Sequence, residues 1–190
     1  TICENALRGW TGTVIVTRPT TGEILALASS PDYDPNIFVK RVDMAAFRRL
    51  IENKRKPFLD RAIQTTYPPS SLLKVVVEAA ALEVDPTYYR LFRWFCKKEY
   101  TLGDRIFKCT GYHFWQNMSS GLANSCNSYF YRVGYMLGSK EILRFSKYFG
   151  LGEATGVDLP GESAGFLPSH EWKTEKYHAK WFDGDTLNLA

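Results

Sequence analysis

The most distinctive pattern in the chain is an almost unbroken apolar run over 72–82. It follows Tyr67-Pro-Pro, and two prolines end any preceding element and favour an extended entry. Ser71 lies where a helix would begin, and serine suits a helix start. The run therefore predicts a helix that is buried in a core and ends near Asp85-Pro86.

The polar residues of this helix are Ser71, Lys74 and Glu78, at i, i+3 and i+7, which places them on one stripe of one face. A hydroxyl one turn from a lysine amine, at the start of a buried helix, is the arrangement of a nucleophile beside its base. Burial disfavours the charged form of a lysine, and a neutral amine can accept the serine proton. The alternative is a solvent-facing Lys74–Glu78 pair with Ser71 as a cap. Lysine before glutamate is the weaker orientation for such a pair, so we favour the catalytic interpretation.

The rest of the pattern predicts one hairpin and several short helices. Strands are expected at 12–19 and 22–29, and Asp43 is the expected N-cap of an amphipathic helix over 44–53. The stretch 87–110 is irregular and aromatic. Further helices are expected over 117–124, 127–138 and 140–149, followed by a long loop over 150–168 and a helical turn from Ser169.

Length and composition predict one domain spanning 1–190. The chain is long enough to hold a hydrophobic core, and its length alone does not indicate two domains. Apolar residues make up 45% and charged residues 23%, which excludes a disordered chain. The net charge of +4 is scattered and gives no nucleic-acid footprint. There is no membrane-span pattern, no signal peptide and no start methionine, so we interpret the sequence as part of a longer protein.

Ser125-Cys-Asn127 lies between two predicted helices, where residues two apart can face the same way. A second serine and an amide placed together can relay a proton and hold the peptide groups of a substrate. A Ser-x-Asn triplet alone carries almost no information, and capping of a helix at Asn127 explains it equally well. Its weight comes from the Ser-Leu-Leu-Lys sequence that ends at Lys74.

Together these motifs resemble the transpeptidase domain of class B penicillin-binding proteins. Ser-x-x-Lys follows Tyr67-Pro-Pro, and Ser-x-Asn comes about fifty residues later with Ser-Tyr-Phe-Tyr after it. Other stretches similar to family landmarks are Arg18-Pro-Thr-Thr-Gly-Glu-Ile-Leu-Ala-Leu, Ser30-Pro-Asp-Tyr-Asp-Pro-Asn36, Asp60-Arg-Ala62, Thr155-Gly-Val-Asp-Leu-Pro-Gly161 and Trp181-Phe-Asp-Gly-Asp-Thr186. The last of these points to the penicillin-binding protein 2 branch, which serves cell elongation. The resemblance implies an α+β fold of the penicillin-binding and serine beta-lactamase type, with a mainly antiparallel sheet and a helical subdomain.

The resemblance also implies an activity, a peptidoglycan D,D-transpeptidase that needs no cofactor for its chemistry. Ser71 would be acylated by the penultimate D-alanine carbonyl of a stem peptide, with Lys74 as the base. Ser125 would carry the proton toward the leaving amine, and Asn127 would position Lys74 and the substrate amide. Beta-lactams mimic the D-alanyl-D-alanine end, so they are expected to trap Ser71.

The chain departs from the family pattern in two places. Ser70 stands where glycine is usual before the nucleophile. No Lys-Thr-Gly or Lys-Ser-Gly occurs, and the family places that motif, which supplies part of the oxyanion hole, on a strand after residue 190. We therefore expect the C-terminal strands to be missing from this chain, and the chain alone to be weakly active or inactive. Two alternatives stay open: a catalytically inactive penicillin-recognising binding or sensor domain, and a serine D,D-carboxypeptidase or beta-lactamase-type hydrolase.

A cluster of potential metal ligands comprises Cys96, Cys109, His113 and Cys126. Three thiols and an imidazole match a closed tetrahedral zinc site in ligand type, although the spacing is looser than in paired Cys-x-x-Cys motifs. Some members of the resembled branch carry metal ligands at matching places, so we favour a structural zinc. The alternative is a Cys96–Cys109 disulfide in an oxidising compartment, with Cys126 a small buried apolar residue.

Location and partners follow from the resemblance alone. It implies the periplasmic face of a bacterial inner membrane, with a single-pass anchor that this chain lacks. The expected ligands are peptidoglycan stem peptides and beta-lactam antibiotics. Membrane proteins of the elongation complex are the expected protein partners, and no nucleic acid is expected.

Overall fold

Helices and short antiparallel strand pairs make up a computed structural model that describes residues 2–39 and 42–190. The helices are α1 (Ile2–Ala6), α2 (Met44–Glu52), α3 (Leu73–Val84), α4 (Pro86–Leu91), α5 (Met118–Ala123), α6 (Asn127–Leu137), α7 (Ser139–Tyr148), α8 (His170–Tyr177) and α9 (Asp183–Leu189). The strands are β1 (Gly12–Thr17), β2 (Ile24–Ser30), β3 (Trp94–Cys96), β4 (Glu99–Leu102), β5 (Arg105–Lys108) and β6 (Phe114–Gln116). This mixture confirms the expected α+β class. Within the described ranges, no helix combines the length and the apolar character needed to cross a bilayer.

Packing divides the chain into two units, which are described separately. The first comprises the residues up to Tyr67 together with Gly156–Ser163, and the second comprises Pro68–Thr155 and Ala164–Ala190. The single domain expected over 1–190 stays a prediction.

The first unit contains the expected hairpin, in which β1 and β2 pair antiparallel with Val14 opposite Ala28. Its loop after α2 is organised by a buried arginine, Arg61, the central residue of the Asp60-Arg-Ala62 landmark. The Arg61 guanidinium donates hydrogen bonds to the carbonyl oxygens of Arg55, Lys56 and Leu59, at 2.5, 3.2 and 3.1 Å. The buried guanidinium fixes this loop through three carbonyl oxygens, and no carboxylate pairs with it among residues 2–39 and 42–190.

The core of the second unit is built around α3, as the apolar run predicts. Its buried residues pack with α6 and α7, and the core includes Leu73, Val76, Val77, Ala80, Ala81, Tyr129, Phe130, Val133, Ile142 and Phe145. The burial is one-sided, because Leu72, just before α3, is 77% exposed and Val75 is 48% exposed. The reason is geometric: α6 and α7 cover only the face that carries Leu73, Val76 and Val77.

The prediction of irregular chain over 87–110 is wrong. The chain there forms α4, the antiparallel pair β4–β5, and strand β3, which pairs with β6. The signals for α4 were present in the sequence. The Asp85 carboxylate accepts a hydrogen bond from the Tyr88 amide, and Pro86 occupies the first helical position. At the C-terminus, α9 was not predicted, and its Leu187 is buried.

Helix α5 begins at a capping box, in which Asn117 and Ser120 satisfy each other's backbone amides. Its last turn packs closely against α6 through Gly121 and the ring of Tyr129. A β-carbon at Gly121 would lie 2.7 Å from Cδ1 of Tyr129, which is itself only 1% exposed. This contact sets the distance between the two helices that flank Ser125-Cys-Asn127.

Gly121→Ala should therefore lower the free energy of unfolding by about 1–3 kcal/mol, because the buried tyrosine must shift. Alanine has the higher intrinsic helix propensity, so a neutral or stabilising result would contradict the contact. Urea unfolding followed by circular dichroism measures the change. Gly12→Ala is the control, since a β-carbon at Gly12 meets no atom within 4 Å.

Candidate active site

Lys74 is the centre of a hydrogen-bonded group inside the second unit. Its side chain is 3% exposed, although it belongs to one of the residue types that are almost never fully buried. Four oxygen atoms lie within hydrogen-bond distance of its Nζ: Ser71 Oγ at 3.1 Å, Ser125 O and Oγ at 3.0 Å each, and Asn127 Oδ1 at 2.5 Å. The Ser125 hydroxyl also lies 2.9 Å from Ser71 Oγ. The structure thus brings together all four residues that the sequence singled out.

The turn before Ser71 bears on the first departure from the family pattern, serine in place of glycine at position 70. Ser70 has φ +50°, in the left-handed region that residues with a β-carbon disfavour. Residues 70–72 form a single 3-10 turn that leads into α3, and the amide of Leu73 bonds to the carbonyl oxygens of Ser70 and Ser71. The side chain of Ser71 stays exposed on this turn. The hydroxyl of Ser71 is thus open to solvent while the amine beside it, on Lys74, is buried.

Ser125 and Asn127 lie at the junction of α5 and α6. Ser125 also has a left-handed backbone, with φ +47°. Cys126 is the N-cap of α6, and its sulfur accepts a hydrogen bond from the amide of Tyr129 at 3.4 Å. Asn127 is the first residue of α6. The alternative in which Asn127 caps the helix is wrong, because Cys126 is the cap and the side chains of Ser125 and Asn127 bond to Lys74.

The surroundings of Lys74 favour its neutral form. Burial lowers the pKa of its amine, and the nearby Cys109 and Cys126 oppose that shift. An ammonium donates three hydrogen bonds, whereas a neutral amine donates two and accepts one, so the four oxygens exceed the capacity of either form. Only the neutral amine can accept the proton of a serine hydroxyl. The ring of Phe130, 5.6 Å from Nζ, closes the remaining side with apolar atoms.

Glu78, the third member of the stripe, does not form the surface pair of the alternative interpretation. No ion pair joins it to Lys74 within the described residues. Burial raises the pKa of its carboxyl group. The stripe therefore separates into a bonded Ser71–Lys74 pair and a half-buried acid one turn further along the helix.

The predicted ligand cluster also assembles in this unit. The four ligand atoms of Cys96, Cys109, His113 and Cys126 lie within 4.8 Å of one another. His113 Nδ1 is 3.4 Å from the Cys109 sulfur and 3.7 Å from that of Cys96, and the sulfurs of Cys109 and Cys126 are 3.9 Å apart. Burial raises the pKa of the Cys109 thiol, but amide hydrogen bonds from Ser128 and Gly111 and bonds to the other thiols lower it to about 6. All four cysteines of the chain are free thiols.

Two residues near the site were not singled out from the sequence. Phe130 and Ser128 belong to the Ser-Tyr-Phe-Tyr stretch, which served only as a landmark of the resemblance. Both are fully buried, Phe130 under Lys74 and Ser128 against the side chain of Trp94. The one local signal for them is their position within the first turns of α6, directly after Asn127.

Comparison with known proteins agrees with this geometry. The family model of the penicillin-binding protein transpeptidase domain matches residues 12–190. The peptidoglycan D,D-transpeptidase MrdA of Acinetobacter baumannii is 34% identical over 203 residues, covering 100% of this chain and 29% of that protein. The chain thus spans less than a third of the length of such relatives.

Solved structures of penicillin-binding protein 2 have the same fold. The Pseudomonas aeruginosa protein in complex with WCK 5153 superposes with a TM-score of 0.91 at 32% identity, over 98% of this chain and 43% of that one. The Helicobacter pylori protein in complex with MreC gives 0.91 at 27% identity, over 97% of this chain and 35% of that one. These similarities confirm the family and fold that the motifs indicated, and the chain belongs to the penicillin-binding protein transpeptidase domain family.

Proposed function

We propose that the protein carrying this chain is a peptidoglycan D,D-transpeptidase of the cell-elongation type, working through a serine acyl-enzyme. The observation that carries the proposal is the position of the Lys74 amine, within 3.1 Å of the hydroxyls of both Ser71 and Ser125. Relatives over this stretch that are named peptidoglycan D,D-transpeptidases support the choice of substrate.

In the first step, neutral Lys74 takes the proton of Ser71 while Ser71 Oγ forms a bond to the penultimate D-alanine carbonyl of a stem peptide. The tetrahedral intermediate collapses as the bond to the terminal D-alanine nitrogen breaks. Ser125, 2.9 Å from Ser71 Oγ and 3.0 Å from Lys74 Nζ, passes the proton on to that nitrogen. Asn127 holds Lys74 through its side-chain oxygen.

In the second step, an amine of a neighbouring stem peptide attacks the ester carbon of acylated Ser71. Lys74 and Ser125 accept the amine proton and return one to Ser71, which restores the resting enzyme. Water in place of the amine would make the same site a carboxypeptidase or, with a beta-lactam, a hydrolase. The outcome thus depends on which nucleophile reaches the ester.

Labelled penicillin should attach to Ser71 in the complete protein, and Ser71→Ala should abolish the label. Lys74→Arg should slow acylation by about 10²–10⁴-fold, because arginine stays protonated and cannot act as a base. Ser119→Ala and Lys140→Arg, at exposed positions of the same unit, are the matched controls.

Peptide mapping that places the label on another residue would contradict the assignment. Rapid release of hydrolysed penicillin would favour the hydrolase, and no label at all would favour the inactive binding domain.

The acylation rate should rise with pH. Lys74 is effective only when neutral, and its neutral fraction increases as pH approaches its pKa from below. Because burial lowers that pKa from the usual 10.5, the rate should level off below pH 10.5. Stopped-flow acylation from about pH 6 to about pH 10 tests this expectation. A rate that falls over this range would rule out Lys74 as the base.

Location, partners and domain organisation follow from membership of this branch. We infer an inner-membrane protein that faces the periplasm, with 1–190 as the front part of one transpeptidase domain. The Helicobacter pylori relative, solved with MreC, supports a partner among elongation-complex proteins.

A structural zinc at Cys96, Cys109, His113 and Cys126 fits the donor atoms. Tetrahedral zinc, with bonds of about 2.3 Å to sulfur and about 2.05 Å to nitrogen, holds its ligand atoms roughly 3.5–3.8 Å apart. Three of the six separations, at 3.4, 3.7 and 3.9 Å, are close to that spacing, and all six lie within 4.8 Å. A thiolate at Cys109 is the form that binds a metal. With four protein ligands, the ion would leave no open position for water and would support Cys126, between Ser125 and Asn127, without taking part in the reaction.

Elemental analysis of protein purified without chelator should find about one zinc per chain. Cys126→Ser should lower both the zinc content and the acylation rate, because the ion then loses its link to the Ser-x-Asn turn. Cys3→Ser is the matched control, since Cys3 lies in the first unit, outside the cluster. A Cys96–Cys109 bridge in the mass spectrum of the non-reduced protein, with no bound metal, would establish the disulfide instead.

A further inference from the structure

Ser128 joins the first turn of α6 to two strands of the neighbouring segment. Its side chain has no exposed surface. Its Oγ accepts a hydrogen bond from Trp94 Nε1 of β3 at 2.9 Å and donates one to the carbonyl oxygen of Glu99 in β4 at 3.1 Å. Its backbone amide bonds to the sulfur of Cys109. One residue therefore holds α6 to the 94–109 segment through both its side chain and its backbone.

The neighbour of Ser128 is Asn127, whose side-chain oxygen is 2.5 Å from the Lys74 amine. Adjacent residues of one helical turn share a nearly rigid backbone, so a constraint on Ser128 is a constraint on Asn127. The residue before Asn127 is tied to α5, because the Cys126 amide donates to the Gly121 carbonyl oxygen at 2.8 Å. Ser128, directly after Asn127, adds the side-chain bonds that hold this turn to β3 and β4.

We propose that Ser128 is a positioning residue, which fixes Asn127 and through it Lys74 by holding α6 on Trp94 and Glu99. This inference rests on the proposed acylation of Ser71. It requires only protein groups, so it holds whether or not the thiol cluster carries a metal. A misplacement of catalytic groups by about 1 Å costs up to about a hundredfold in rate, and loss of the two Oγ bonds permits a shift of that size.

The test separates positioning from a general contribution to stability. Ser128→Ala in the complete protein should lower the acylation rate constant for a labelled penicillin by about tenfold and change its non-covalent affinity by less than about twofold. Ser146→Ala is the matched control. Ser146 is equally buried, its Oγ donates to the Ile142 carbonyl at 2.8 Å, and it lies in α7, where it makes no bond to the Lys74 group. Ser146→Ala should leave the acylation rate unchanged, so that it shows what the loss of a buried serine hydroxyl away from Lys74 does to the rate.

A second variant covers the case in which Ser128→Ala fails to fold. Trp94→Phe keeps the serine and removes the indole donor together with part of the ring, and it should slow acylation by about threefold. In the double variant the two losses should overlap, so that Ser128→Ala with Trp94→Phe is no slower than Ser128→Ala alone. A double variant whose loss in acylation rate equals the product of the two single losses would overturn the inference.

The possible failures are distinguishable. Normal acylation of Ser71 together with an unchanged rate in Ser128→Ala, or a slowing by Ser146→Ala equal to that of Ser128→Ala, overturns the positioning role alone. Absence of any label on Ser71 in the unmodified protein overturns the proposed function, and the inference with it.

Discussion

Removing the amine of Lys74 from water is the constraint on which the rest of the second unit depends. An isolated ammonium at that depth would cost several kcal/mol, so the amine must be neutral, surrounded by polar atoms, or both. The chain provides oxygens from Ser71, Ser125 and Asn127 and closes the remaining side with Phe130. Only the first of these is local to α3, so α3 has to be packed against the start of α6.

That requirement accounts for the close packing around α6. Gly121 lets α5 approach the ring of Tyr129, Cys126 caps the helix, and Ser128 ties it to β3 and β4. On α6 the residues that make these contacts, Cys126, Ser128 and Tyr129, all lie within two positions of Asn127. The polar group around Lys74 and the thiol cluster are therefore two parts of one packed region, and a change in either is expected to affect the other.

Sequence reasoning succeeded where the signal was local. The i, i+3 spacing of Ser71 and Lys74 predicted their contact, and the capping residue Asp43 marked a helix correctly. Ser125 meets Lys74 across 51 residues, and no spacing rule predicts that distance in space; the family resemblance supplied it. The bond between Trp94 and Ser128 spans 34 residues and has no motif, so it emerged only from the structure. Helix α4 was overlooked although Asp85-Pro86 signals its start, because its aromatic composition suggested irregular chain.

The two left-handed serines show how the site is kept in place. A β-carbon in that region costs about 1–2 kcal/mol, and both Ser70 and Ser125 adopt it. Ser125 cannot be replaced by glycine, because its hydroxyl bonds to Ser71 and lies beside Lys74. No such need applies to Ser70. Glycine at this position would remove the strain of the folded backbone, but it would also raise the conformational entropy of the unfolded chain. The two effects on the free energy of unfolding are similar in size. Serine at position 70 is therefore compatible with activity, whereas the strain at Ser125 has to be offset by the contacts of α6 that follow it.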